Sequence, residues 1–174
     1  EWGARLDALE AGAMMNVEAD TYWCLCGLLE GIQDNYTYAQ PGIQRMVWGM
    51  KELVTRVEGP VAAHLESEGV EFLQFAFRWV NCLLVREVPF ELAPRLWDTY
   101  LAEGTSFNAF VPYACASFLL TWGKELCGLE FQDIVMRLQS LPTSCWGEAE
   151  LAMVLSRAYI WKNMFESARS HFNS

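Results

Sequence analysis

The stretch Glu71–Asp98, EFLQFAFRWVNCLLVREVPFELAPRLWD, decides how the rest of the chain is read. From Phe72 onward, Phe75, Ala76, Trp79, Val80 and Leu83 recur at the spacing of one helical face, and Leu73, Phe77 and Leu84 widen that face. Gln74, Arg78 and Asn81 interrupt it at spacings of four and three, forming one narrow polar stripe. The pattern predicts a helix of roughly four to five turns up to Val88, apolar nearly all round and so the buried hub of a helical domain. Pro89 closes it, because a proline disfavours helix in the residue before it. A second helix is expected to follow, carrying Arg95, Trp97 and Asp98 on its exit. Buried charge is costly unless paired, and Glu71, Glu87 and Asp98 are available to pair with Arg78, Arg86 and Arg95. The plainest expectation is therefore a core helix with a satisfied polar stripe.

Working outward, Asn16–Asp20 supplies cap-like acidic residues before Trp23, Leu25, Cys26, Leu28 and Leu29, which predicts a helix to about Gln33. Residues 1–15 read as a lead-in segment, and 16–174 as one helical domain. Asp34–Gly42 is rich in turn formers and aromatic hydroxyls and predicts a loop. Pro41 suits the first turn of the next helix, where its missing N–H is not needed. That helix turns Ile43, Val47, Met50, Leu53, Val54 and Val57 to one side, and Gly59-Pro60 ends it before a short helix over Val61–Ser67. Beyond the hub, Glu103–Ser106 reads as a linker. Phe107–Leu126 reads as one helix that tolerates or kinks at Pro112, Leu129–Leu141 as another, and Gly147–Phe172 as a final helix or helix pair. The chain has no internal repeat, no low-complexity tract and no alternating strand pattern. The fold class is all-α, an irregular multi-helix bundle of about seven to nine helices.

With 174 residues, 53% of them hydrophobic, and with eight Trp and ten Phe, the chain can bury a sizeable core and is not disordered. A net charge of −10 argues against a nucleic-acid binder, whose affinity comes largely from Lys and Arg on phosphates, and leaves no polybasic patch for anionic lipid. No 18-residue apolar run and no signal-peptide layout occur, so no membrane insertion is expected. Cys24-Leu25-Cys26 is too tight a pair for a zinc ribbon, and His64 and His171 lie far apart, so no metal is implied. The six cysteines sit mostly among hydrophobes, predicting buried free thiols in a reducing cytosol.

Three blocks carry a resemblance. Phe77-Arg78-Trp79, Arg86-Glu87 and Arg95-Leu96-Trp97-Asp98 resemble the shared motif in the second half of TBC domains, the Rab GTPase-activating proteins. Glu18–Cys24 (EADTYWC), together with Ile32–Tyr36 (IQDNY) and Gln40-Pro41-Gly42-Ile43, narrows the resemblance to one subgroup. It covers nearly everything from Asn16 to Phe172. It implies the C-terminal half of a TBC domain, acting with an N-terminal TBC half on a GTP-bound Rab-family small GTPase. The setting it implies is vesicle trafficking, in the cytoplasm with recruitment to endomembranes.

The residues themselves offer little chemistry. Gly27 and Gly31 flank a leucine-rich helix rather than a strand-to-helix turn, so no phosphate loop is present, and no serine sits in a nucleophile elbow. Glu66/Glu68 and Glu148/Glu150 read as solvated faces. No catalytic, cofactor-binding or metal residue is assigned. TBC proteins are similar to other GTPase activators in supplying charge in trans, with an arginine from I-x-x-D-x-x-R and a glutamine from Y-x-Q-G. No aspartate here is followed three residues on by arginine, and Arg5 in Gly-Ala-Arg-Leu does not resemble that motif. Tyr38-Ala39-Gln40 looks like the glutamine motif. However, Pro41 stands where the family has glycine, and the flanking residues match a segment after the catalytic glutamine. The resemblance therefore implies that both fingers lie in a preceding half. Arg78, Trp79, Arg86, Glu87, Arg95, Trp97 and Asp98 are expected to be mostly structural. Asn35, Tyr36, Tyr38 and Gln40 are expected to face the other half or the GTPase. The alternative is a non-catalytic Rab-binding or scaffold module.

Overall fold

The computed structural model describes residues 11–104 and 107–172, with side chains described from 12 to 165. Residues 1–10 of the expected lead-in, Thr105 and Ser106 of the expected linker, and the side chain of His171 lie outside the described residues. Nine α-helices and no strand occur among those described. They are α1 (Ala11–Glu30), α2 (Pro41–Val57), α3 (Gly59–Ser67), α4 (Phe72–Asn81), α5 (Ala93–Ala102), α6 (Phe107–Leu119), α7 (Gly123–Leu126), α8 (Phe131–Gln139) and α9 (Glu148–Phe172). Short 3-10 turns cover Gln33–Asn35 and Phe90–Leu92. Two compact units result, one up to Gln33 and the other from Asp34 onward.

In the second unit the expected hub moves. The helix packed on most others is α6, which meets α2, α4, α5 and α9 and buries ten of its thirteen residues. Its middle reads Ala114-Cys115-Ala116-Ser117, small side chains that let neighbouring helices approach closely, whereas α4 keeps Leu73, Gln74 and Phe77 exposed. An aromatic chain joins the two. Trp79, with no exposed surface, meets the ring of Phe75 at 5.0 Å and that of Phe118 at 5.1 Å, both edge-on. Phe118 continues to Trp122 at 5.0 Å, and Trp122 stacks on Trp146 at 5.4 Å. Edge-to-face and offset pairs at such distances contribute beyond the area they bury.

Two helices end earlier than their sequence period predicts. The first is α4, which stops at Asn81 rather than Val88. There the Leu84 N–H donates to the Trp79 carbonyl at 2.8 Å and the Leu83 N–H to Val80 at 3.2 Å, a Schellman-type closure with Leu83 and Leu84 at φ +51° and +61°. Left-handed backbone costs an L-residue about 1–2 kcal/mol, while burying a leucine contributes about 1.5–3 kcal/mol. Both leucines are almost fully buried, at 3% and 2% exposure, so burial wins. The second is the predicted helix Phe107–Leu126, which breaks after Leu119. The Ser117 carbonyl, left by the backbone, accepts from Arg157 Nη2 and from Thr121 Oγ1. Ser117 Oγ in turn donates to the Val154 carbonyl at 2.7 Å and accepts from Arg157 Nε at 2.9 Å, locking α6 to α9.

The acidic pairs read as solvated faces also do structural work. Glu68 accepts the Phe131 N–H at 2.9 Å and so caps α8, and Glu150 accepts the Gly147 N–H at 2.8 Å ahead of α9. The Gly147 N–H and Glu150's own N–H hold the Glu150 carboxyl below its ordinary pKa. Lys162 and Glu103, both nearly buried, form an ion pair between α9 and the end of α5. The expectation of buried thiols holds only for Cys115, whose thiol burial pushes far up. Cys24 and Cys26 are exposed on α1, and Cys127 and Cys145 are exposed in turns beyond helix ends.

Two substitutions separate strain from burial. Leu83→Gly relieves the left-handed backbone but removes a buried side chain, so it is expected to lower stability by roughly 1–3 kcal/mol. Ala39 has φ +60° and an exposed side chain, so Ala39→Gly loses no packing and is expected to stabilise by about 1 kcal/mol. Urea denaturation of both variants reads the signs. Stabilisation by Leu83→Gly would mean that strain outweighs burial at this turn.

Candidate functional site

The residues singled out in sequence separate into a clamp, an exposed remainder and a loop. The clamp starts at Arg78, which α4 places on its polar stripe. Its Nε and Nη2 donate to the two carboxylate oxygens of Glu87, each at 2.7 Å, and Nη2 also donates to the Gln139 carbonyl at 3.0 Å. Gln139 is the last residue of α8, so a cation here satisfies a free C-terminal carbonyl and complements the helix dipole. The hydrogen bond to Glu87 holds the guanidinium above its ordinary pKa, against the opposing effect of burial. Glu87 is itself buried, and its backbone carbonyl accepts from Thr143 Oγ1 at 2.5 Å. The turn after α4, the end of α8 and the loop before α9 are thus tied together through the side chains of Arg78, Glu87 and Thr143.

Adjacent Trp79 points the other way, into the core, where its Nε1 has no hydrogen-bond partner. The other motif residues do not join the clamp. Arg86 is exposed; Arg95 is exposed and donates to Thr99 one turn along α5 at 2.9 Å; Asp98 is exposed and Trp97 is half-buried. Of the internal pairings expected between these arginines and Glu71, Glu87 and Asp98, only Arg78–Glu87 occurs among the described residues. The Glu71 N–H instead donates to Gln74 Oε1 at 3.2 Å, capping α4.

The loop spans Asn35–Gln40. Asn35 is fully buried, and its side-chain amide has no hydrogen-bond partner. It packs so tightly over Gly42 that a Cβ there would collide with the side chains of Asn35 and Asp34. Asp34 forms an ion pair with Arg45, anchoring the loop to α2. Tyr36 Oη donates to the Asn81 carbonyl at 3.1 Å, tying the loop to the end of α4, and burial pushes its phenol pKa up. Gln44 Nε2 donates to the Ala39 carbonyl at 2.7 Å. Ala39 and Gln40 both hold left-handed backbone, so the turn enters α2 under strain, and Tyr38 at its tip is 99% exposed. Gln40 stands at the N-cap position of α2 without a side-chain capping bond.

The charges of the clamp are legible in the sequence, but its backbone acceptors are not. Arg157, whose guanidinium seals α6 and lies 5.4 Å from the Trp161 ring centroid, is marked in the sequence only by its i, i+4 spacing from Trp161. Among the described residues no group of His, Cys, Asp and Glu could hold a metal ion, and no helix is long and apolar enough to cross a membrane.

Residues 9–127 match the family profile described as Rab-GTPase-TBC domain. The chain belongs to that family. The TBC chain is 51% identical over 157 residues to GTPase-activating protein gyp1 of Schizosaccharomyces pombe, covering 90% of this chain and 30% of that protein. It is 47% identical over 168 residues to TBC1 domain family member 22A of Homo sapiens, covering 96% of this chain and 32% of that protein. It superposes on the crystal structure of the Ypt/Rab-GAP domain of Gyp1p with a TM-score of 0.86 at 44% identity, over 90% of this chain and 49% of that one. The TBC chain thus spans about a third of the length of these relatives and about half of the solved domain. The all-α fold inferred from its periodicity is the TBC fold.

The clamp supplies a double-mutant test. Arg78→Ala leaves the Glu87 carboxylate buried and unpaired, and is expected to cost roughly 2–3 kcal/mol; the partial exposure of Arg78 keeps this below the 3–5 kcal/mol of a fully buried pair. Arg78→Met with Glu87→Leu removes both charges and is expected to recover most of that loss. Denaturant midpoints of the single and double variants give the coupling directly, and additive losses would show that the two side chains act independently.

Proposed function

We propose that this chain is the carboxy-terminal, supporting part of a Rab GTPase activator, and that it works with an N-terminal TBC half on a GTP-bound Rab. The observation that carries this reading is the match to one half of a solved Rab-GAP domain by a chain with no Asp-x-x-Arg sequence. The geometry agrees with it. Arg45 is engaged by Asp34. Of two surface grooves on α2, one is lined by Arg45 and Arg56 without a glutamine, the other by Gln44 without an arginine. Helix α1 exposes Met15, Trp23 and Leu25 at 51–71%, and large apolar side chains grouped on one helix favour cover by the rest of the domain. In this reading Tyr36, Tyr38 and Gln40 contact the GTPase or the other half, in the cytoplasm at endomembranes engaged in vesicle trafficking.

Magnitude decides against activity of this chain alone. An arginine finger is worth roughly 10³–10⁵ in rate, about 4–7 kcal/mol. A peripheral hydrogen bond contributes only about 0.5–1.5 kcal/mol, too little to replace it. The fully exposed Tyr38 on an anchored loop favours a second reading, a Rab-binding module that recognises the GTP-bound state without changing its rate.

Single-turnover GTP hydrolysis by Rab proteins tests both readings. The chain alone is expected to accelerate hydrolysis less than about tenfold, and Gln40→Ala is expected to change nothing. Larger stimulation that Gln40→Ala abolishes would place a finger in this chain and overturn the proposal. Tight, rate-neutral binding to the GTP form would favour the second reading.

A further inference from the structure

Helix α9 distributes its side chains in a partly inverted order. Leu151, Val154, Leu155 and Ala158 pack inward, as an amphipathic helix requires. Between Leu151 and Met164, however, the two charged residues also turn inward, Arg157 onto Ser117 and Thr121 and Lys162 onto Glu103. The outward side receives Met153, Tyr159, Ile160 and Met164, each 56–66% exposed. Ala149, Ala152, Ser156 and Asn163 complete that side, all of them exposed. Ala149, Met153, Ser156, Ile160 and Asn163 alternate at spacings of four and three, which is the spacing of a coiled-coil seam. The result is one uncharged stripe from Ala149 to Met164, about 22 Å long at 1.5 Å per residue.

We propose that this stripe is a self-association surface, on which a second copy of the chain lays the same helix antiparallel about a two-fold axis near Ser156 and Tyr159. Size favours a copy first. Apart from Met153, the N-terminal half of the stripe is small, with Ala149, Ala152 and Ser156, and the C-terminal half is large, with Tyr159, Ile160 and Met164. An antiparallel two-fold lays each half on the other, so large side chains meet small ones and the helix dipoles oppose. A parallel pairing would set large against large. Charge points the same way. Copies that each carry a net charge of −10 repel, and they meet with least repulsion across a face that has no charge. The same lack of cations leaves anionic lipid nothing to bind. Finally, α9 follows the stretch 9–127 that matches the family profile, which favours a partner other than the N-terminal half that such domains share. Standard interfaces bury about 800 Å² per partner, more than one four-turn seam supplies, so the dimer is reversible, with a Kd of about 10–100 μM. None of this rests on the GTPase reading, and its failure would leave that reading untouched.

Sedimentation velocity of the full chain between about 5 and 500 μM tests the proposal, and a monomer–dimer equilibrium is expected. Met153→Glu and Ile160→Lys are each expected to weaken it at least about tenfold, since each brings an unpaired charge into the seam. In the antiparallel register the two positions face each other across the axis within about one turn, so the double variant sets opposite charges together. It is expected to return to within about threefold of the unaltered chain. Thermal melts at about 5 μM should match for all four proteins, because both side chains are exposed. A monomer throughout, a dimer indifferent to the single changes, or a double variant as weak as the single ones would overturn the proposal. Capture by phosphatidylserine vesicles without any dimer would also overturn it, and would assign the stripe to membrane instead.

Discussion

The edge of Trp79 against Phe118 is the contact on which the larger unit depends. It joins α4 to α6, and α6 is the helix that every other large element of the unit touches or reaches through a neighbour. A tryptophan ring that is wholly buried fixes rotation and height at once, because an indole has few ways to fill a close-packed hole. The Trp79 carbonyl accepts the Leu84 N–H, so the chain leaves α4 within one turn through the left-handed leucines after Asn81. The strain is local and the benefit is distributed, so the fold tolerates two backbone conformations that an isolated peptide avoids.

The residue before it meets a different constraint. Arg78 lies at the rim, where its guanidinium can stay partly hydrated while neutralising Glu87 inside. Buried ion pairs are seldom a net source of stability, but a charge held at one end by a carboxylate and at the other by a helix-terminal carbonyl restricts which arrangements can form. Arg78 and Trp79 divide the labour: one secures packing depth, the other the register of α4 against α8 and of the loop before α9. Such pinning matters for a surface on which a partner is to dock, because a site is only as well defined as the elements beneath it.

Periodicity revealed the helices because each has an apolar face, and the resemblance of three blocks revealed the family. Other features were beyond its reach for physical reasons. The end of α4 was invisible because Leu83 and Leu84 continue the apolar period while their backbone departs from it, a choice made by tertiary burial. The centrality of α6 was hidden by its own composition, since Ala114, Cys115 and Ala116 look unremarkable until close approach is required of them. In the clamp, nine residues separate Arg78 from Glu87 and the charges could be matched. Gln139 and Thr143 lie 61 and 56 residues from their partners, and each bond ends on a backbone carbonyl, that of Gln139 or of Glu87, which leaves no mark in a sequence. The strained turn at Ala39 and Gln40 was legible only as a loop, because neither residue is one that advertises left-handed backbone.

Helices α1 and α2 expose apolar surface in different ways. In α2 the inward positions are apolar and the outward ones are Gln44, Arg45, Lys51, Thr55 and Arg56, with Trp48 the single large exception. A lone exposed tryptophan on an otherwise polar face is a local feature. In α1 there is no such division: Met14, Met15, Val17, Tyr22, Trp23, Leu25 and Leu29 are all exposed, and no basic residue accompanies them. No single short segment could cover that circumference, whereas a folded body could. Size of the uncovered surface therefore separates the two helices: that of α1 fits the proposal that a domain's other half covers it, whereas one exposed side chain on α2 asks for no such cover.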